Sequence, residues 1–140
     1  MRFWSALRRS KVRFLTPAEV EAVHEIGLGT GGGASGVRDP GQLIAATMAP
    51  QNAYVYTLAD LAAVYCHGIA EGQAFLDGNK RAAVLAADTF LRINGYHLEL
   101  SADEGVRLMV GLATGELTRD DLARAFAVAM GGDAVALDED

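Results

Sequence analysis

The sequence predicts an all-α domain: a compact bundle of about six helices around a central apolar helix, with minor short strands at most. Helix-start signals, in which a capping residue precedes apolar residues at helical spacing, recur along the chain. Residues 12–15 alternate and could be a strand fragment or an entry segment, and residues 97–100 are too short to support a sheet alone. The 140 residues, 51% of them hydrophobic, are enough for one domain with a buried core.

Charge divides the chain into three regions. We assign residues 1–14 to a basic N-terminal arm, residues 15–131 to the helical domain and residues 132–140 to an acidic flexible tail. The net charge is −6 and the domain itself is acidic, which argues against nucleic acid as the main partner. We interpret the arm as a solvated tail, with contact to an acidic partner as the alternative.

The sequence also predicts a cytoplasmic protein without a membrane span. No apolar run approaches the ~20 residues that a membrane helix needs. The residues after Met1 lack the apolar core of a signal peptide, and a lone Cys66 cannot form an internal disulfide. We expect Cys66 to behave as a small buried hydrophobe, and the sequence leaves the oligomeric state open.

Capping signals place the first two helices. Residues 16–19 (Thr-Pro-Ala-Glu) begin the first helix, which we expect to end at the glycines from Gly27 onward. Residues 39–42 begin a short second helix that runs through Met48, and Pro50 is expected to stop it.

Four further helices are predicted. Residues 57–60 begin a third helix with a wide apolar face, which should pack centrally. Residues 82–93 are apolar on nearly every side, so we expect this fourth helix to be the hub of the bundle and to end at residues 94–95 (Asn-Gly). Residues 101–104 and 118–121 begin the fifth and sixth helices.

Two glycine-containing stretches resemble nucleotide-binding motifs but do not qualify as such. Residues 31–36 have the spacing of a dinucleotide fingerprint, but a helix precedes them, whereas the fingerprint needs a strand there. We therefore interpret residues 29–36 as a flexible loop. Residues 72–80 are not a Walker A motif, because one residue too many separates the glycines and no Ser or Thr follows the lysine.

The strongest functional signal is residues 73–81 (Gln-Ala-Phe-Leu-Asp-Gly-Asn-Lys-Arg), where a polar loop meets the apolar fourth helix. Gly78 permits an unusual backbone conformation, and residues 79–81 would present free first-turn N–H groups beside the cations Lys80 and Arg81. These features together predict an anion site, most simply for phosphate. A carboxylate at Asp77 is compatible with phosphates if it holds Mg²⁺. The alternative is an ordinary helix start capped by Asn79, with solvated cations.

The motif and its surroundings resemble the Fic/Doc superfamily, in particular the death-on-curing (Doc) toxins of bacterial toxin–antitoxin pairs. The resemblance covers most of the chain and rests on segments that occur in the family's order: residues 14–19 with His24, residues 36–40, 50–52, 67–68, 75–81, 90–91 and 94–96. It implies an all-α fold that uses ATP and Mg²⁺ to phosphorylate a hydroxyl of a translation elongation factor. It also implies a cognate antitoxin that blocks the toxin.

The resemblance assigns roles to the motif residues. Phe75 anchors the loop in the core, Asp77 helps to hold Mg²⁺, Gly78 and Asn79 shape the anion pocket, and Lys80 and Arg81 grip phosphates. The related proteins that transfer AMP usually have a small residue at the position of Lys80 and a second arginine at that of Val84. The pattern therefore favours phosphoryl transfer over AMP transfer.

One catalytic residue of the family's motif is missing. The motif begins with a histidine that accepts the proton of the attacking hydroxyl, whereas this chain has Gln73. An amide can hydrogen-bond a hydroxyl but cannot accept its proton near neutral pH. Turnover should therefore be weak or absent unless another group, such as His67, substitutes. The alternative functions are a catalytically dead pseudo-enzyme that binds nucleotide or antitoxin, and a helical interaction module that does neither. His24 is expected to be a surface or packing residue, not a ligand.

Overall fold

Six α-helices and one pair of two-residue strands make up this computed structural model, which describes residues 11–55 and 57–131, without the side chain of Thr30. The all-α prediction is confirmed. Residues 1–10 of the predicted arm and the predicted tail, residues 132–140, lie outside the described residues. The elements in chain order are α1 (Pro17–Gly31), α2 (Pro40–Asn52), α3 (Leu58–Gly72), α4 (Asn79–Ile93), β1 (His97–Leu98), α5 (Ala102–Thr114), α6 (Arg119–Ala129) and β2 (Met130–Gly131).

Reciprocal capping boxes begin four of the described helices, as the sequence predicted. In α1, Thr16 Oγ1 accepts a hydrogen bond from the Glu19 N–H at 3.2 Å, and Glu19 Oε1 accepts one from the Thr16 N–H at 2.8 Å. The same exchange occurs at the start of α3, α5 and α6, and Asp39 caps α2 through the Gln42 N–H. Local sequence therefore determines where these helices begin.

The capping carboxylates of α5 and α6 make stability depend on pH. Hydrogen bonds from the Ser101 N–H and hydroxyl lower the pKa of Glu104, and those from Thr118 lower the pKa of Asp121. A carboxyl whose pKa is lowered by folding contributes stability above its unfolded pKa and loses that contribution as the pH falls through its folded pKa.

We therefore expect Glu104→Gln to reduce the loss of stability on acidification. Glutamine can still accept the capping hydrogen bond but does not titrate. Urea unfolding followed from about pH 6 to about pH 3 should show a shallower decline than in the parent chain. The control is Asp103→Asn, an exposed acid in the same turn outside the capping box. An equal effect of the two substitutions would contradict a specific role of the box.

The core is centred on α3, which packs against α2, α4, α5 and α6. Its Tyr65 is completely buried, with its ring centroid 5.0 Å from that of Phe90 in α4. The Tyr65 hydroxyl accepts a hydrogen bond from the Leu15 N–H at 2.8 Å, and burial raises the pKa of Tyr65 to about 12. Cys66 is buried as predicted, and burial raises the pKa of its thiol. No helix in the described part of the chain has the length and hydropathy of a membrane span.

The prediction that α4 is the hub of the bundle is wrong. Its small and aromatic residues are buried, but Lys80, Arg81 and Arg92 are exposed along one side. Asp88 is paired with Arg92 at 2.8 Å through Oδ2, while its Oδ1 accepts a hydrogen bond from the Leu98 N–H at 2.8 Å. A helix with this polar stripe lies at the edge of the core, so α3 takes the central position instead.

Two predicted boundaries differ from the structure. Helix α1 ends among the expected glycines, but at Gly31, so residues 29–31 of the predicted loop 29–36 are helical. The glycine face of α1 packs against α4, where a Cβ on Gly27 would lie 3.0 Å from Leu85 Cδ1. Helix α2 includes Pro50 and ends at Asn52. Proline lacks the N–H donor that a helix interior uses, but Pro50 is buried, so its packing in the core accounts for a helix that continues past it.

Both ends of the bundle are held by long-range contacts. Strands β1 and β2 pair in antiparallel register, with His97 opposite Gly131. At the start of the described residues, the buried side chain of Asn94 accepts a hydrogen bond from the Arg13 N–H and donates one to the Arg13 carbonyl, both at 2.9 Å. Arg13, which we assigned to the arm, is thus attached to the far end of α4.

Candidate functional site

The motif loop joins the end of α3 to the start of α4 and is fixed by a distant stretch of chain. Val37 forms an antiparallel bridge with Phe75. The N–H groups of Arg38 and Asp39 donate to the Ala74 carbonyl at 2.7 and 3.0 Å. This pairing uses backbone groups alone and joins the loop to residues 37–39.

Phe75 fixes the loop to the core. It is 1% exposed, and its ring is stacked on that of His24, with centroids 3.8 Å apart and planes 3° from parallel. His24 Nε2 lies 2.6 Å from the Asp77 carbonyl oxygen. Since a carbonyl only accepts, Nε2 must carry the proton. His24 is therefore a packed residue, as predicted, and its Nε2 is committed to the loop backbone and is not available as a base.

Asn79 closes the loop and does not cap the helix. Its Oδ1 accepts a hydrogen bond from the Phe75 N–H at 3.0 Å, and its Nδ2 donates to the Phe75 carbonyl at 3.1 Å. The N-cap of α4 is Gly78, and no side chain makes a capping bond there. The interpretation of Asn79 as an ordinary cap is therefore wrong, and no side chain of the described residues accepts a hydrogen bond from the first-turn N–H groups of α4.

Gly78 has an unusual backbone conformation, as the sequence predicted: it is left-handed, with φ 75° and ψ 21°. A Cβ at this position would lie 3.2 Å from Leu28 Cδ2 and 3.6 Å from His24 Nε2, so the Leu28 side chain would have to shift slightly. The backbone angle is therefore the main reason for glycine where the loop turns into α4.

Three charged side chains surround the start of α4. Asp77, Lys80 and Arg81 are all exposed, and among the described residues Lys80 makes no ion pair. Asp77 Oδ1 accepts a hydrogen bond from the Gly78 N–H at 2.9 Å. Two cations at the positive end of a helix dipole favour an anion, and phosphate is the common anion for such a site.

The residues present fit Mg²⁺ only as a companion of phosphate. No group of three metal-ligating side chains occurs in the described part of the chain, so a site built from protein ligands alone is not present there. Mg²⁺ in nucleotide sites commonly takes one or two carboxylates and completes its coordination with phosphate oxygens and water. The exposed Asp77 carboxylate beside the anion site matches that arrangement.

Arg81, one of the two predicted phosphate ligands, already makes hydrogen bonds to the end of α1. Its Nη1 donates to the carbonyls of Gly27 and Gly32, both at 3.2 Å. The guanidinium therefore bridges the start of α4 and the end of α1.

Gln73 is exposed at the end of α3, at the position where the family's histidine is expected. Its backbone is left-handed, with φ 49° and ψ 49°, and its carbonyl accepts hydrogen bonds from Arg38 Nε at 3.0 Å and Nη2 at 2.5 Å. His67 is half-buried within α3, and no hydrogen bond or ion pair joins it to the motif among the described residues. No contact among the described residues therefore links His67 to Gln73 as a substitute base.

Sequence reasoning missed two contacts that shape the site. His24 contacts the Asp77 carbonyl, and Arg38 contacts the Gln73 carbonyl. Each lies at least 35 positions from its partner in the chain, which no local pattern can detect. The only signal was their presence in the segments that resemble the Fic/Doc superfamily.

A separate groove of about 650 Å³ lies between α5, α6 and residues 99–100, which follow β1. It is lined by Leu100, Glu104, Arg107, Leu117 and Val128, among others, and contains no motif residue. We therefore do not assign it to the candidate site.

Comparison with known proteins supports the resemblance to the Fic/Doc superfamily. A sequence model of the Fic/DOC family matches residues 14–91, which include the whole motif. The "Protein kinase doc" of Escherichia phage P1 is 34% identical over 116 residues, covering 80% of this chain and 91% of that protein. The "Toxin Doc" of Mycolicibacterium smegmatis is 42% identical over 100 residues, covering 66% of this chain and 76% of that protein.

Proposed function

The chain belongs to the Fic/DOC family, and from this premise we propose that it is a Doc-type toxin whose site binds ATP for phosphoryl transfer to a protein hydroxyl. The observation that carries the proposal is the start of α4. There an uncapped first turn follows left-handed Gly78 and has Asp77, Lys80 and Arg81 around it. The names of the two relatives, a protein kinase and a toxin, support the same function.

Each part of the site has a task in phosphoryl transfer, which depends mainly on positioning and on neutralising negative charge. The N–H groups of the first turn of α4 and the cations of Lys80 and Arg81 would bind phosphate oxygens. Asp77 would hold Mg²⁺, which supplies further charge neutralisation when bound. The contacts of Asn79 and His24 with the loop backbone keep these groups in place before the nucleotide arrives.

The proposed acceptor is a hydroxyl of a translation elongation factor, and the proposed regulator is a cognate antitoxin. Both follow from the membership of the Doc branch, since the relatives' similarity extends over most of the chain. AMP transfer is the alternative chemistry at the same site, so assays of activity should follow both the phosphoryl and the nucleotidyl group.

A second candidate function is a pseudo-enzyme that binds nucleotide or antitoxin without turnover. Gln73 favours it, because the exposed amide occupies the place of the proton acceptor and His24 Nε2 is engaged with the Asp77 carbonyl. The toxin and the nucleotide-binding form of the pseudo-enzyme both require nucleotide binding at α4 and differ in chemistry.

Substitution of Lys80 tests the shared requirement. We expect Lys80→Ala to weaken the binding of Mg·ATP, measured by calorimetry, by about 10- to 100-fold, because a charge-assisted contact to phosphate contributes about 1.5–3 kcal/mol. Lys11→Ala is the matched control: Lys11 is exposed, and it lies near Arg13, which is attached to the opposite end of α4. No binding by the parent chain, or equal affinity of both variants, would contradict the proposal.

A further inference from the structure

The glycines at the end of α1 do not form a nucleotide-binding fingerprint, so their presence in a helix needs another explanation. Helix α1 contains Gly27, Gly29 and Gly31, although glycine lowers helix stability relative to alanine. Gly31 does not have the positive φ angle that would require glycine for the backbone alone. Another cause must account for the absence of a side chain at this position.

The guanidinium of Arg81 occupies the space where a side chain at Gly31 would be. A Cβ on Gly31 would lie 2.3 Å from Arg81 Cζ, 2.4 Å from Nη2 and 2.6 Å from Nη1. The carbonyls of Gly27 and Gly32 accept hydrogen bonds from Nη1 on either side of it, both at 3.2 Å. We call these three residues, Gly27, Gly31 and Gly32, the arginine seat.

The seat leaves part of the guanidinium available. Both hydrogen bonds use Nη1, and within the described residues none engages Nη2 or Nε. Arginine carries five N–H donors in a rigid planar fork, so fixing one nitrogen determines where the others point. Carbonyl oxygens at the end of a helix also favour a cation there, which keeps the side chain in place.

Residues 33–34, which follow the arginine seat, lie close to the Asp77 carboxylate of the motif. The Ala34 N–H donates to Asp77 Oδ2 at 3.4 Å, and a Cβ on Gly33 would lie 2.9 Å from the same oxygen. The chain after α1 thus contacts both Arg81 and Asp77, the two side chains that would lie on either side of a bound phosphate. This convergence is independent of the contacts within the motif.

We propose that Gly31 is a positioning residue for the anion site: the arginine seat holds the Arg81 guanidinium in the direction that phosphate binding needs. The inference rests on the proposed function, because it assigns Arg81 to a phosphate. Preorganisation of this kind strengthens binding, since the side chain is already ordered before the ligand arrives.

The test compares Gly31→Ala with Gly29→Ala. Both positions are exposed and helical, but a Cβ on Gly29 would meet nothing within 4 Å. Neither substitution should lower the melting temperature, since alanine favours helix and the obstructing atoms at Gly31 belong to the far end of a flexible side chain. We expect Gly31→Ala to bind Mg·ATP about 10-fold more weakly than the parent chain, and Gly29→Ala to bind equally well.

A second measurement follows Arg81 without nucleotide. The ¹⁵Nε–H NMR resonance of Arg81, assigned by its loss in Arg81→Lys, should shift in Gly31→Ala and stay in place in Gly29→Ala. If Gly31→Ala binds Mg·ATP as tightly as the parent chain does, or if its Arg81 resonance does not shift, the proposed role of Gly31 is wrong. The proposed function would stand in either case. Failure of the parent chain to bind Mg·ATP would instead overturn the proposed function, and this inference with it.

Discussion

Replacing Gln73 by histidine is expected to raise the rate of group transfer by about 10²–10⁴-fold, the usual contribution of a general base. The proposed phosphate-binding residues of the motif are in place, with Asp77, Lys80 and Arg81 around the start of α4. The amide of Gln73 can hydrogen-bond the attacking hydroxyl but cannot take its proton. An imidazole at this position would supply the missing proton acceptor near neutral pH.

The structure indicates that histidine can be introduced here without disturbing the fold. Gln73 is exposed, and its contact with Arg38 uses the backbone carbonyl, which any residue retains. Its left-handed backbone, with φ 49°, is one in which histidine and asparagine occur more often than most other residues. Gln73→Asn is therefore the matched control, because it tolerates the same backbone and keeps the amide.

The measurement is transfer of label from γ- and α-labelled ATP to purified translation elongation factors, which follows phosphoryl and AMP transfer separately. Activity in Gln73→His and none in Gln73→Asn would support the toxin with an impaired base. If both variants bind Mg·ATP yet transfer nothing, the pseudo-enzyme is the correct function, and the enzymatic proposal fails.

Phe75→Ala is expected to lower the free energy of unfolding by about 3–5 kcal/mol, the usual cost of removing a buried phenylalanine ring. Phe75 is 1% exposed and stacks on His24 at a centroid distance of 3.8 Å. Loss of the ring leaves a cavity and also removes the surface that holds the His24 imidazole near the Asp77 carbonyl. Since domains of this size are stable by about 5–15 kcal/mol, the variant should be close to unfolding at moderate temperature.

The neighbouring Leu76 provides the control. It is 56% exposed, so Leu76→Ala should change the unfolding free energy by no more than about 0.5 kcal/mol. Phe75→Leu should fall between the two and remain folded, which permits a nucleotide-binding measurement on the same chain. Equal urea midpoints for Phe75→Ala and Leu76→Ala would show that Phe75 does not anchor the loop in the core.

The sequence predicted those features of the fold that depend on neighbouring residues. The starts of α1, α3, α5 and α6 follow from capping boxes, in which both partners lie within four consecutive residues. The left-handed Gly78 and the apolar character of α3 are equally local. Local signals of this kind are therefore sufficient to place the motif at the start of a helix.

Features that depend on tertiary packing were missed or wrongly predicted. Helix α1 runs past Gly27 because its glycine face admits the side chains of α4, a reason that lies more than 50 residues away in the chain. The role of Asn79 was open to two interpretations, a cap of α4 and a residue that shapes the anion pocket. The contacts of Asn79 with Phe75, four residues away, exclude the cap.

A crystal structure with Mg²⁺ and a non-hydrolysable ATP analogue would test the central proposal most directly. We expect the phosphates at the start of α4, with oxygens within hydrogen-bond distance of the first-turn N–H groups, Lys80 and Arg81, and the metal between Asp77 and the phosphates. Phosphates bound away from α4, for example in the groove between α5 and α6, would contradict it.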